Sequence, residues 1–161
     1  MSPAADLSMR QQVVDLLSSE HAHVDLQKAL HGLPAKSRGA RPKGAEHSIW
    51  ELLEHMRIAQ WDILEFSRNS KHVSPKFPEG YWPRKSAPAS DAAWKKSIAD
   101  FDRDLEAMKK LVLNESSDLL AKIPHGEGQT LLREALLVAD HNAYHVGQIV
   151  LVRRLLGAWK S

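Results

Sequence analysis

The stretch SIWELLEHMRIAQWDILEF, residues 48–66, decides the fold class of this protein. Its apolar residues recur every three or four positions, which is the period of one face of an α-helix. Ser48 and Glu51 stand three residues apart at its start and fit a capping box, in which each side chain bonds a backbone N–H of the first turn. The stretch therefore predicts a helix over about Ile49–Arg68.

Three further stretches repeat the same apolar period. They predict helices over about Leu7–Leu30, Asp91–Leu113 and Leu131–Leu156, with Ser90 or Asp91 and Thr130 as caps of the last two. A single threonine and few β-branched runs argue against strands. Four apolar stripes of matched length predict an all-α protein, a four-helix bundle.

The connection between the second and third predicted helices, residues 69–90, is long and carries the aromatic residues Phe77, Tyr81 and Trp82. About ten extended residues, at roughly 3.3 Å each, span the length of a helix of about 33 Å. A long crossover between helices 2 and 3 is therefore predicted, which gives an up-down-down-up order. The alternative is a loose excursion between antiparallel helices, but three rings in one loop favour the crossover because they need surfaces to pack on.

Composition limits the classes of function. The chain has 161 residues, the size of one ordinary domain, so residues 1–161 are predicted to form a single domain. The absence of cysteine excludes disulfides, thiolate metal sites and catalysis by a thiol of the protein. The net charge of +2 is too balanced to indicate nucleic-acid binding. No apolar run reaches the roughly 20 residues of a membrane span, and the first residues lack a signal peptide, so we expect no membrane partner and a cytoplasmic protein.

Nine histidines are the chemically informative residues. His141 and His145 stand four apart, so on a helix they share one face and one metal ion can bind both. Val138 and Ile149 continue the same line, which places the pair beside the apolar stripe. His55 lies on the core-facing stripe of the second helix, and three imidazoles directed inward from two helices predict a three-His metal site. The alternative, on the residues alone, is a set of core histidines bonded to backbone carbonyls.

The remaining histidines are weaker candidates. His21 is a reserve ligand because it can approach the bundle interior, although a solvated residue is the simpler interpretation. His47 precedes the second helix, and three others lie in predicted loops: His31, His72 and His125.

Two further side chains are candidates for supporting contacts around the metal. Gln148 follows His145 by three residues and can orient a ligand or a bound water, with a polar contact between helices as the alternative. Glu51 precedes His55 by four residues, but the capping box explains it without catalysis. Asn142 stands where the metalloprotease helix motif has its glutamate base, so a zinc-protease function is excluded. No catalytic residue is identified by these patterns.

These motifs resemble the DinB-like superfamily, also called the DinB/YfiT-like metalloenzymes. HSIWELLEH, residues 47–55, looks like the second helix of that family. HNAYHVGQ, residues 141–148, looks like its fourth-helix signature. The segments YWP at 81–83 and IPHGEGQT at 123–130 are similar to the family as well, so the resemblance covers nearly the whole chain.

The resemblance implies a set of properties for this chain. It implies metal ligands at His55, His141 and His145, an up-down-down-up bundle and a homodimer. It also implies a divalent metal cofactor, with nickel or zinc first and iron, manganese or cobalt as further candidates. Family members include transferases and isomerases that depend on a low-molecular-weight thiol.

Three imidazole ligands would leave one position of the ion open, as in catalytic rather than structural zinc sites. A water in that position becomes more acidic, which predicts a hydrolase that uses metal-bound hydroxide on a small-molecule substrate. A thiol in that position loses its proton, which predicts a transferase. Because the chain has no cysteine, that thiol must be a cosubstrate. The alternative is a non-catalytic bundle in which the metal fastens the second helix to the fourth.

Overall fold

The computed structural model describes residues 2–18 and 22–159, and this part of the chain is helical. Its five α-helices are α1 (Pro3–Ser18), α2 (Leu26–Leu30), α3 (Ile49–Arg68), α4 (Asp91–Leu113) and α5 (Leu131–Leu155). Two short 3-10 turns lie in the loops, at Ala35–Ser37 and Glu79–Tyr81. The described residues form no strand beyond one isolated bridge, between Lys122 and Thr130, so the all-α class is confirmed. Within the same residues, no helix has both the length and the hydropathy needed to cross a bilayer.

Side-chain caps explain why three of the long helices begin where their sequences predict. Ser48 accepts a hydrogen bond from the Glu51 N–H, and the Glu51 carboxylate accepts one from the Ser48 N–H, which completes the predicted capping box. Ser90 and Thr130 cap α4 and α5 by accepting from the N–H three residues further on. Beyond the end of α5, Gly157 has a φ of 64°, a left-handed conformation that suits glycine after a helix.

The predicted first helix, Leu7–Leu30, is wrong as a single element. The structure instead has α1, which ends at Ser18, and a separate five-residue α2. Asp25 begins α2, because its backbone is extended and its carboxylate accepts a hydrogen bond from the Lys28 N–H. An N-cap of this kind favours a new helix start over a continuous helix. The protein therefore has four long helices and one short helix in its described residues.

Two buried apolar clusters hold the helices together. One joins α2, α3, α4 and α5 and includes Leu53 and Met56. The other joins α1 to the second half of α3, to α4 and to α5, and includes Leu64 and Met108. All four of these side chains are fully buried, and such burial is the main contribution to folding stability. Because α3 contributes to both clusters, the polar side chains that it carries are held on a rigid element.

Earlier residues of α3 contact earlier residues of α4, and later residues contact later ones. Near the starts of the two helices, the ring centroids of Trp50 and Trp94 are 6.3 Å apart. Further along both helices, Gln60 Nε2 donates a hydrogen bond to the carbonyl of Phe101 at 2.7 Å. The order along α5 is reversed, as in the pairs His55–His145 and Gln60–Asn142.

Contacts with α3 or its cap show the path of residues 69–90. They include the pairs His72–Asp62, Tyr81–His55 and Ser86–Ser48. As the residue numbers rise along this segment, the positions that it contacts fall. The segment therefore runs from the later half of α3 back to its start.

Candidate metal centre

Three histidines meet between α3 and α5. His55 lies in the first half of α3, and His141 and His145 lie one turn apart on α5. One ring nitrogen from each of the three lies within 4.8 Å of the others. The Nε2 atoms of His55 and His141 are 3.0 Å apart. The side chains that were expected to converge from two helices do so, and this three-His cluster can hold a metal ion.

The spacing of the three-His cluster suits a single divalent ion. Two nitrogens bound to one ion at about 2.1 Å lie about 3.0–3.4 Å apart for bond angles between about 90° and 109°. The 3.0 Å separation of His55 and His141 falls at the short end of that range. Within the described residues, no fourth histidine or carboxylate joins the group. Three protein ligands leave a position for water or substrate, which is the pattern of catalytic sites.

Burial keeps the imidazoles of the cluster neutral. Desolvation, followed by the proximity of His145 and His55, lowers the pKa of His141 to about 3. Desolvation is also the largest cause that lowers the pKa of His55 and the pKa of His145. At neutral pH these rings therefore carry a free lone pair, the form in which imidazole binds a metal.

Two oxygen atoms determine which ring nitrogens face the cluster. The carbonyl oxygen of Tyr81 lies 3.0 Å from Nδ1 of His55, and because a carbonyl only accepts, this nitrogen carries the proton. Nδ1 of His145 donates to Oε1 of Gln148 at 2.7 Å. Nε2 is then the atom with the lone pair in both rings. A hydrogen bond on the distal nitrogen is what usually orients a histidine ligand, and Gln148 makes one as its spacing suggested.

Trp82, from the segment of residues 69–90, covers the ring of His55. The two rings are parallel to within 1°, with centroids 4.0 Å apart. The same indole stacks on His47, with centroids 4.0 Å apart. Trp82 therefore restricts the rotation of His55 and brings His47 close to the cluster. Sequence reasoning missed both contacts, because nothing in the local pattern shows on which helix a loop ring packs.

A second polar network lies on α3, seven residues after His55. Asp62 accepts a hydrogen bond from the Tyr81 hydroxyl at 2.6 Å and another from Nε2 of His72 at 2.7 Å. Burial, followed by the hydrogen bond to Asp62, raises the pKa of Tyr81 to about 12, so its phenol remains a donor. Tyr81 thus contacts α3 twice, through its carbonyl at His55 and through its hydroxyl at Asp62. Sequence reasoning missed this network, although a polar residue seven positions after His55 shares its face of the helix.

Two cavities open beside the cluster. The Asp62 cavity has a volume of about 390 Å³, and its walls include His55, His141, Asp62, Phe66, Phe77 and Tyr81. The Trp82 cavity has a volume of about 430 Å³, and its walls include His47, Trp82, Tyr144, His145, Gln148 and Leu151. Both volumes suit a small molecule. A larger cleft of about 1290 Å³ lies elsewhere, between His31 and Trp159, and contains none of the three histidines.

The other polar candidates make structural contacts. Glu51 bonds the Ser48 N–H and the guanidinium of Arg41, so the capping-box interpretation holds and its carboxylate is already engaged. Asn142 Nδ2 donates to Oε1 of Gln60 at 2.8 Å, on the side of α5 that faces α3 and α4. The reserve ligand, His21, lies outside the described residues.

Comparison with known protein families yields a match to the DinB superfamily over residues 19–149. The matched region contains most of the chain and all of the cluster histidines. No curated protein and no solved structure matches the chain. The resemblance indicated by the helix motifs is therefore confirmed at the level of the superfamily.

Proposed function

The chain belongs to the DinB superfamily, and we propose that it is a divalent-metal-dependent enzyme acting on small molecules, with His55, His141 and His145 as the metal ligands. The observation that carries this proposal is the convergence of three neutral imidazoles, with ring nitrogens within 4.8 Å, beside two small-molecule cavities. Nickel or zinc is the metal proposed first, because both accept imidazole ligands; iron, manganese and cobalt are the further candidates.

The role of the chain's own residues is to orient the histidine ligands for metal binding. A bound divalent ion supplies a Lewis acid that lowers the pKa of a water or thiol in its open position. The Tyr81 carbonyl and the Gln148 side chain hold the Nδ1 protons of His55 and His145, so the Nε2 lone pairs are directed at the cluster. Trp82 covers one face of His55 and keeps water from it.

Of the two reactions left open, transfer between two small molecules is favoured over hydrolysis by the pair of cavities. A hydrolase needs room for one organic substrate and water, whereas a transferase must bring two reactants to one point. The Asp62 cavity reaches the cluster at His55 and His141, and the Trp82 cavity reaches it at His145. A thiol reactant would be a low-molecular-weight cosubstrate, since the chain has no cysteine.

The proposal is tested by metal analysis followed by activity assays. Protein stripped with a chelator is reloaded with Zn²⁺ or Ni²⁺ and its metal content is measured, with one equivalent as the expected result. The loaded and stripped forms are then assayed with ester panels and with electrophiles in the presence of a small thiol. We expect turnover of the thiol and electrophile pair by the loaded form only. Failure to take up any metal would contradict the proposal.

A non-catalytic, metal-stabilised bundle is the second candidate. The observation that favours it is that the histidines come from both α3 and α5, so an ion bound to them would cross-link two helices and stabilise the fold. Thermal melting with and without chelator separates the candidates when combined with the assays. A large loss of Tm on metal removal, without turnover on either panel by the loaded form, would favour this second candidate.

We further propose that residues 1–161 form one domain in which the four long helices run up-down-down-up. The shared order of contacts along α3 and α4, and the return of residues 69–90 to the start of α3, support parallel α3 and α4. Spin labels at Glu46 and Lys95, just before α3 and at the start of α4, test this order. A parallel pair predicts a separation well below the roughly 30 Å length of these helices, and an antiparallel pair a separation near it.

We also propose a homodimer that forms through α5. Tyr144, Leu151 and Leu155 are exposed and recur at helical spacing along this element. They also line the Trp82 cavity, so a partner protomer would form part of the wall of that cavity. An exposed apolar stripe of this kind is typical of an interaction surface. Light scattering should report a dimer for the wild type and a monomer for Leu151→Glu, whereas a monomeric wild type would contradict the proposal.

A further inference from the structure

The Asp62 cavity combines aromatic walls with a carboxylate. The rings of Phe66, Phe77 and Tyr81 line it together with Asp62. Phe77 is 77% exposed, so its ring is accessible to a molecule in the cavity. The faces of aromatic rings carry negative electrostatic potential and attract organic cations.

The charges around this cavity favour a positive ligand. Asp62 is 8% exposed, and its two oxygens accept hydrogen bonds from His72 and from the Tyr81 hydroxyl. No lysine or arginine in the described residues pairs with it, and His72 is charged only when protonated, so the negative charge of Asp62 has no permanent counter-ion there. Arg133 and Glu134 also line the cavity, but they form an ion pair with each other and contribute little net charge. A carboxylate removed from water gains most from a cation that can reach it.

The cavity extends along α3 away from the three-His cluster. His55 and Asp62 are seven residues apart, which is roughly 10 Å along the helix axis. His55 and His141 line one end of the cavity, and Asp62 and Phe66 line the part further along α3. A bound divalent ion would make the first end positive. The cationic group of a ligand would therefore be repelled from that end and would lie at the Asp62 end.

We propose that the Asp62 cavity binds an alkylated ammonium group of the substrate. The Asp62 carboxylate supplies the counter-charge, and the three aromatic rings pack around the alkyl substituents. The substrate class is then a small molecule with an organic ammonium at one end and a metal-binding oxygen, nitrogen or sulfur atom at the other. This assignment rests on the proposed function in that the cavity is taken to hold the substrate of the metal centre, while binding of the ammonium itself requires no metal.

Two probes of the same shape test the assignment. Choline and 3,3-dimethylbutan-1-ol differ in that a quaternary nitrogen in the first is a neutral carbon in the second. Each is titrated into the protein, both stripped and zinc-loaded, and binding is followed by NMR. We expect choline to bind at least about fivefold tighter than its neutral isostere in both forms. Equal affinities for the two probes, or no binding of choline, would overturn the assignment.

Three variants test which residues produce the preference for choline over its neutral isostere. Asp62→Asn keeps the shape and removes the charge, and it should abolish the preference for choline. Asp102→Asn is the matched control, since this carboxylate lies on α4 beside another cavity and bonds Gln27. Because Asp62→Asn can disturb the Tyr81 loop, Phe77→Leu provides an independent variant that removes an exposed ring and keeps an apolar side chain. It should weaken choline binding and leave the isostere unaffected; an unchanged preference in both Asp62→Asn and Phe77→Leu contradicts the assignment.

Zinc titration of the same wild-type samples distinguishes failure of this assignment from failure of the proposed function. Selective choline binding by a protein that takes up no zinc would support the ammonium site and refute the metal centre. Stoichiometric zinc binding without a choline preference would refute the ammonium site and leave the metal centre in place.

Discussion

Two clusters of polar side chains lie next to each other between α3 and α5, and they differ in how their atoms are hydrogen-bonded. In the amide ladder, formed by Asn142, Gln60 and the Phe101 carbonyl, Asn142 donates to Gln60 and Gln60 donates to the carbonyl. Asn142 Oδ1 is the one buried side-chain atom of this ladder without a partner. In the three-His cluster, by contrast, Nε2 of His55 faces Nε2 of His141, and two such nitrogens can share only one proton.

This difference separates a structural polar contact from a binding site on the same pair of helices. Buried polar groups are normally hydrogen-bonded to each other, and the ladder follows that rule by linking α5, α3 and α4. The cluster instead directs neutral bases at a common point, an arrangement that a cation would complete. Changes to the ladder should therefore affect the free energy of unfolding, and changes to the cluster should affect metal binding.

The largest effect is expected from His141→Ala. The variant removes one of three ligands from the cluster. The two imidazoles that remain, on α3 and α5, hold a divalent ion far less well than three. Measurable zinc or nickel binding should disappear in isothermal titration, while far-UV circular dichroism should show the same helix content. A variant that retains stoichiometric metal would refute the assignment of His141 as a ligand.

Gln60→Leu should have the opposite pattern. It leaves the Phe101 carbonyl and the Asn142 amide without their partner in a buried region, at a cost of about 2–4 kcal/mol in the free energy of unfolding. Urea denaturation of the metal-free protein measures this loss, and the folded variant should still bind one equivalent of metal. Loss of metal binding with unchanged stability would show that the two regions are not separable in this way.

A smaller effect on metal affinity is expected from Gln148→Ala. The variant removes the acceptor for Nδ1–H of His145 without removing a ligand, and loss of such a contact typically weakens metal binding about tenfold or more. Competition with a chelating dye measures the change. Gln11→Ala, on the exposed face of α1, is the control and should bind metal like the wild type; equal affinities for all three proteins would remove Gln148 from the set of supporting residues.

The last effect is a pH dependence of the metal-free protein. The pKa of His141 is about 3 in the folded state, whereas an unfolded histidine titrates near 6.5. Below about pH 6.5 the unfolded chain binds a proton that the folded protein excludes, so stability is complete above that pH and falls as the pH decreases toward 3. We expect a loss of about 2 kcal/mol between pH 7 and pH 5 from His141.

Variants assign this pH dependence to the cluster. His141→Gln should make the slope of stability against pH shallower, because the titrating group is gone. Gln60→Leu should lower the whole curve and keep its slope. Urea denaturation at a series of pH values provides the measurement, and a stability that rises on acidification would contradict the expected protonation states.

The long helices were predictable because their signals are local. The capping box at Ser48 and the caps at Ser90 and Thr130 lie within four residues of the helix starts that they determine, and all three are present. The break between α1 and α2 was missed, because the loose apolar stripe continues through it and a single aspartate, Asp25, is not enough to indicate an N-cap. The histidine positions were predictable for the same local reason, since helical periodicity places them on inward faces.

The sequence by itself determined the all-α class, three of the four long helices and the inward direction of His55, His141 and His145, since each of these depends on residues within one or two turns of each other. The tertiary structure alone decided what surrounds them. The stacking of Trp82 on His55, the double contact of Tyr81 with α3 and the union of Asp62 with three aromatic rings in one cavity depend on the path of residues 69–90. Such contacts join residues far apart in the chain, and side-chain packing over the whole fold, rather than local periodicity, selects them.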